Sequence, residues 1–390
     1  MPIHRQSLSR YLAAIVALAL AVVAGYELFE RAVETPEPPT ASTADAPADV
    51  PVRSIQVVSS PDEGMTPELM EVLKHGLPIE GCDRKSRSSD TVESQDKFEQ
   101  VTSEAVETLS QSGDPEYLLA AALIDFDRQD KTSSPLLERA LELMPNHPVA
   151  HWHRLQHCRD ESCDRNALAD AAVAADPTNG MLWLEIASRH IQSGDWEQAE
   201  QALRRAIASP RFDTYFIEYS LLVERALTAT TELDYSERLL FGHGVAAAVA
   251  IPRFGDISRA CRSDENDTAT WVSLCDELGR SMHEQSRELI STMIGWGYRK
   301  VAAERVGDDA RVAFIEAQSD RTRERYSYRG IRAGTNALLE NDPAILRSYV
   351  DEFVAHGELQ AVDSLVEDAI RLRNDPTYDQ CNFVMRRPSD

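Results

Sequence analysis

Apolar positions recur three and four apart through most of this chain, with charged residues between them, which is the spacing of one buried helical face. The pattern predicts a short helix over 66–75, opened by Pro67 and ended at Gly76, then a polar loop over 81–90 and a long amphipathic helix over 92–111. Further helical segments are expected at 115–126, 136–144, 167–176 and 198–208. Beyond residue 210 the pattern continues at 213–229, carried by Phe216, Ile217, Leu221, Leu222 and Leu227, then at 233–250, 254–261 and 268–278. The segment 282–306, with Leu289, Ile290, Met293, Ile294, Trp296 and Tyr298, follows, then 309–325, 334–340, 343–355 and 359–371. Alternation of the kind a strand requires occurs at 52–59 alone. The expected fold class is all-α.

Within 135–210 the pattern repeats. Pro145, Pro177 and Pro210 stand 32 and 33 residues apart, each after an alanine-rich amphipathic segment. The best unit reads Trp183-x2-Ile186-Ala187-x2-His190, then Gly194-Asp195-Trp196, Ala199-x3-Leu203-x2-Ala206 and Pro210. It resembles the tetratricopeptide repeat, a helical hairpin of about 34 residues. His190, Ala187 and Leu203 depart from that family's Tyr, Gly and Phe. The unit before it keeps Trp152 and Leu155, and the one before that keeps Ala140, Leu141 and Pro145. The resemblance covers two to three units. It implies a helical-hairpin solenoid over 113–210 continuing into a helical region over 211–380, with a tail at 381–390. It also implies a repeat core of Trp183, Ile186, Ala187, Ala199, Leu203 and Ala206. Small Ala187 and Ala199 let the two helices of a hairpin approach, Gly194 ends the first in a left-handed turn, and Pro210 stops the second. Arrays of this kind bind other proteins through a concave surface built from the first helices of their hairpins. Arg154, Glu185 and Arg189 are the expected exposed contact positions there. The layout resembles exported bacterial proteins that pair degenerate units with a helical tail, a likeness that implies no activity.

Charge and the N-terminus then place the chain. Forty basic against sixty-five acidic residues give a net charge of −25, which opposes nucleic acid and anionic lipid as partners of the body. His4, Arg5 and Arg10 form a basic end over 1–10, before sixteen uncharged residues from Tyr11 to Tyr26. Residues 11–29 read as a transmembrane anchor or, with Val22-Val23-Ala24 as a cleavage site, a signal segment. Either way the basic end stays cytoplasmic and the body is exported. That body would lie in the bacterial periplasm, as a single-pass inner-membrane protein if the segment is kept. Residues 30–52 are a Pro- and Ala-rich stalk, and 53–112 hold N-terminal helices and a loop. The expected partners are proteins of the cell envelope and the inner membrane.

Export allows disulfides, and six cysteines permit them. Cys158 with Cys163 and Cys261 with Cys275 are the pairs that proximity favours, leaving Cys82 and Cys381. His147, His151, His153 and His157 crowd beside Cys158, but the spacing lacks the paired-cysteine or His-Glu-x-x-His form of zinc sites, and surface histidines beside a disulfide is the favoured reading. Gly242-His-Gly244 matches a loose dinucleotide fingerprint but stands in a helical context, where that motif does not work. No metal, cofactor or catalytic residue is assigned. The alternative to a binding module is an enzyme, or a receptor for a small ligand or glycan. Its site would lie among the C-terminal helices around Trp296, Tyr298 and the arginines from Arg321 to Arg332, which are interleaved with Tyr326 and Tyr328.

Overall fold

The computed structural model describes Cys82 and residues 91–125, 134–158, 163–248, 254–263, 269–323 and 334–383. The expected anchor at 11–29, the stalk at 30–52, the alternating run at 52–59 and the helix at 66–75 lie outside these residues. What is described is all-α. The helices are α1 (Thr91–Ser110), α2 (Pro115–Ile124), α3 (Pro135–Leu143), α4 (Pro148–His157), α5 (Arg165–Ala175), α6 (Gly180–Ser193), α7 (Trp196–Ala208) and α8 (Phe216–Thr230). They continue as α9 (Tyr235–Ala248), α10 (Phe254–Arg262), α11 (Ala269–Gln285), α12 (Leu289–Arg305), α13 (Asp309–Arg323), α14 (Thr335–Asn341), α15 (Pro343–His356) and α16 (Glu358–Arg373), with a 3-10 turn at Gln380–Phe383.

Local chemistry sets many of these ends. Asp114, Ser134, His147 and Asp342 cap helices whose first residue is a proline, which lacks the N–H that a helix start would leave unpaired. Asp164, Asn179 and Asp195 cap α5, α6 and α7 through their side-chain oxygens. Gly194 closes α6 at φ 74°, left-handed backbone that glycine adopts without strain.

Helices α2–α3, α4–α5 and α6–α7 pack as three successive pairs, and each pair touches the next through α3–α4 and α5–α6. The first helix of every pair is buried on more than one side. Six consecutive residues of α2, Leu118 to Leu123, are buried, as are five of α6, Leu184 to Ser188. Only a helix covered all round does this. The second cover comes from later in the chain. Helix α8 packs on α1 and α2 and reaches α4, where Tyr215 meets Trp152 and Tyr219 meets His153, with ring centroids 6.1 and 5.8 Å apart. Helix α10 lies on α6, and α11 lies on α7. So α2, α4 and α6 form a middle layer between their own second helices and α8 with α10.

The region after residue 210 is built mostly of hairpins: α8–α9, α11–α12 and α15–α16. One boundary differs from the sequence expectation. Helices were expected over 268–278 and 282–306, with a break between 278 and 282. The structure runs α11 straight through to Gln285 and breaks at Ser286–Glu288 instead. Gly279 and Gly295 face each other across α11–α12, where a Cβ added at either would lie 2.4 or 2.6 Å from the other's carbonyl oxygen. Gly279 marks a helix crossing, and the chain leaves α11 only where its backbone pairs with another segment.

Candidate interaction surface and the node beneath it

The three expected contact residues share one geometry. Arg154 of α4 pairs with Glu138 of α3 at 2.9 Å, Glu185 of α6 with Arg165 of α5 at 2.7 Å, and Arg189 of α6 with Asp170 of α5 at 3.6 Å. Each ties one hairpin to the hairpin before it. Arg154 and Arg189 are half-buried at the edge of the stack. Glu185 is a correction: expected to be exposed, it is 4% exposed. Its partner explains this, because Arg165 reaches in and also donates to the carbonyls of Leu155 and Cys158 at 3.2 and 3.0 Å. The concave face expected to receive a partner is likewise covered, by α8 and α10. Ser188 and Gln192 of α6 donate to Asp256 of α10 at 2.7 and 2.6 Å.

Of the repeat core, Ile186, Ala187, Ala199, Leu203 and Ala206 are buried. Trp183 is half-buried: its indole N–H donates to the Pro177 carbonyl at 3.1 Å, and the Arg205 guanidinium lies 4.7 Å over its ring.

Beneath this surface four chain segments meet at a polar node. Asn179, fully buried, accepts from the backbone N–H of Asp213 at 3.1 Å and donates to its carbonyl at 2.8 Å. Two parallel bridges, Asn179 to Arg211 and Phe212 to Ser286, stitch the α5–α6, α7–α8 and α11–α12 connections together. The Glu358 N–H at the start of α16 donates to the Arg287 carbonyl at 2.7 Å. Asp176 accepts from Arg211 and, at 2.6 Å, from the Tyr215 hydroxyl. Tyr215 is held at φ 62°, a conformation costing a non-glycine residue about 1–3 kcal/mol. Asp213 anchors it by accepting from its N–H at 2.7 Å.

Acid dominates the node. Glu288 is buried and accepts from the N–H and hydroxyl of Thr214 at 2.8 and 2.6 Å. Burial first, then Asp213, pushes its carboxyl up to about 8. Burial and the same Asp213 push Glu218 up to about 7. Burial raises Glu358, against the Leu289 N–H that it accepts at 2.7 Å. Burial works to lower the Arg211 pKa, but Asp213 and Asp176 outweigh it and raise it. The node thus joins two aspartates paired with Arg211 to buried glutamates that, Glu288 above all, keep their protons to higher pH than an ordinary carboxyl. Sequence reading missed it because its members come from separate segments, joined by side-chain contacts across 34 to 74 residues. The local signal was the Asp176-Pro-Thr-Asn179 turn, read only as a repeat boundary.

The cysteines pair as Cys158–Cys163, Cys261–Cys275 and Cys82–Cys381. Three disulfides fit a body outside the reducing cytoplasm. The four histidines serve separate roles. His147 caps α4, His151 contacts the Pro145 carbonyl at 2.7 Å, and His153, 2% exposed and so not at the surface as expected, packs against the tilted His157 ring. Burial lowers the His153 pKa well below its usual value, with His157 adding to this. Gly242 lies inside α9, where an added Cβ would meet the Ser220 carbonyl oxygen at 2.4 Å; that glycine serves helix packing. Trp296 and Tyr298 do not converge. Trp296 packs with Ile315 of α13, whereas Tyr298 donates to the Phe254 carbonyl of α10 at 3.2 Å. Arg321 bonds the Ala317 carbonyl and Arg323 pairs with Asp320; the rest of that arginine run lies outside the described residues.

Among the described residues no helix is long and apolar enough to cross a membrane. Comparison with protein-family models, with curated proteins and with solved structures finds no match.

Proposed function

We propose that this chain is an exported interaction module. A degenerate tetratricopeptide-like solenoid, continued by the C-terminal helices, is tethered to the bacterial inner membrane by residues 11–29. In the periplasm it engages a protein partner of the cell envelope. The observation that carries this reading is the run of three packed helix pairs, the second and third each tied to the one before by ion pairs. Such a stack presents a long rigid edge, and its inner face is already occupied. The partner therefore meets the outer edge, where Arg154 and Arg189 remain half-exposed. The acidity of the body steers a basic or neutral partner and opposes nucleic acid.

Crosslinking in intact cells, with the membrane fraction recovered through a tag on the chain, tests this. One enriched envelope protein is expected, diminished at least severalfold by Arg154→Glu with Arg189→Glu while circular dichroism stays unchanged. Partly solvent-open pairs at such an edge contribute about 1 kcal/mol or less each, so the fold should survive both changes. Glu185→Lys is the contrast, since it buries a like-charge pair and should lower the melting temperature. No enriched protein at any crosslinker length, or full recovery with the doubly reversed chain, would overturn the proposal.

A further inference from the structure

Helices α11, α12 and α13 bring three guanidinium groups to one carboxylate. Asp276, 8% exposed, accepts from Arg280 Nη2 at 3.0 Å and from Arg311 Nη2, and Arg299 Nε lies 3.7 Å from it. The other acid acting on this group is Glu284, which faces Arg299 and His283. Three cations thus face two carboxylates, in a chain whose net charge is −25.

Buried polar atoms without a hydrogen-bond partner are the second, independent observation. Trp296 is 5% exposed, and its indole N–H has no acceptor among the described residues; Arg299 Nε and His283 Nδ1 have no hydrogen-bond partner either. Trp296 touches the other two. The Trp296 and His283 rings lie 4.1 Å apart, and the Arg299 guanidinium sits 4.8 Å over the Trp296 ring. A buried donor without an acceptor costs about 1–3 kcal/mol, and native proteins leave few of them.

We propose that Arg280, Arg299, Arg311, Trp296 and His283 form a binding site for a small free oxyanion, a carboxylate, sulfate or phosphate. Guanidinium forks match the paired oxygens of these groups. Arg280 and Arg311, with half and about a third of their side chains exposed, give the anion access from solvent. Asp276 holds the forks in place while the site is empty. Burial, with Arg311 and Arg280, depresses the Arg299 pKa although Asp276 opposes them, and a bound anion relieves that repulsion. The site is independent of the interaction edge, which lies on other helices.

Calorimetric titration of the full chain with sulfate, inorganic phosphate and succinate, at ionic strength fixed with chloride, tests it. Saturable binding of at least one is expected, at least tenfold tighter than chloride. Arg299→Gln should weaken it at least tenfold. Asp276→Asn removes the competing carboxylate and should tighten it severalfold, a gain that a purely structural carboxylate would not give. If Arg299→Gln fails to fold, Trp296→Phe is the second variant, expected to weaken binding severalfold. No saturable heat, unchanged affinity in these variants, or binding only to phosphatidylglycerol vesicles and not to the free anions would each overturn the proposal.

Discussion

Glu288 concentrates the chemistry of the node in one proton. Its carboxyl sits near 8 when folded, against an ordinary value of 4.5, and Glu218 sits near 7. The native state therefore keeps protons that the unfolded chain has already lost. Stability from these groups is complete below about 4.5 and falls as pH rises toward 8. Histidines act the other way. His147, His153, His243 and His283 are all lowered from 6.5, His243 to about 4, so their contribution rises with pH and levels off near 6.5. Above 6.5 the carboxyls act without that opposition. Urea unfolding midpoints should then decline between pH 6.5 and 8, and Glu288→Gln should flatten most of that decline, since the amide still accepts from Thr214. An unchanged slope in the variant would show that the proton resides elsewhere.

At the scale of elements, Gly279 shows what a sequence conveys and what it withholds. A glycine in a helical pattern signals either an end or a close crossing, and local spacing does not separate the two. The deciding fact is Gly295, sixteen residues on and facing it across the hairpin. Gly279→Ala or Gly295→Ala should cost about 1–3 kcal/mol or more, because the added methyl meets backbone that cannot rotate away. Thermal unfolding measures this, with Gly255→Ala, where an added Cβ meets nothing within 4 Å, as the reference. A loss no larger than that reference would mean that the helices separate at no cost. Helical periodicity made the existence of most helices legible. It could not tell that α2, α4 and α6 are covered twice, because amphipathic spacing names a buried face and not its cover. One signal was present: the unbroken run from Leu118 to Ile124 has no polar side and needs two neighbours. Glu185 misled for the same reason, since a charge in a helix reads as exposed until its partner, twenty residues earlier, is known.

For the whole molecule, connectivity decides which staple matters most. Cys158–Cys163 closes 5 residues, Cys261–Cys275 closes 14 and Cys82–Cys381 closes 299. If crosslinks act by restricting the unfolded chain, their contributions scale with the logarithm of loop length: about 2, 3 and 5–6 kcal/mol respectively. The longest loop joins a residue before α1 to the 3-10 turn after α16, so it spans every described helix. It should therefore raise the stability of the whole body, whereas Cys158–Cys163 fixes only the exit of α4. Paired serine replacements should lower the melting temperature in the order Cys82/Cys381, then Cys261/Cys275, then Cys158/Cys163. The middle pair qualifies the argument, since both of its cysteines are 1% exposed and serine there also buries a hydroxyl. Replacing that pair with alanine removes the hydroxyl but adds a small cavity, so comparing serine with alanine separates the loop term from the packing term. Should the longest loop prove the least stabilising, the segment around Cys82 would be a tethered arm and the crosslink would not restrain the body.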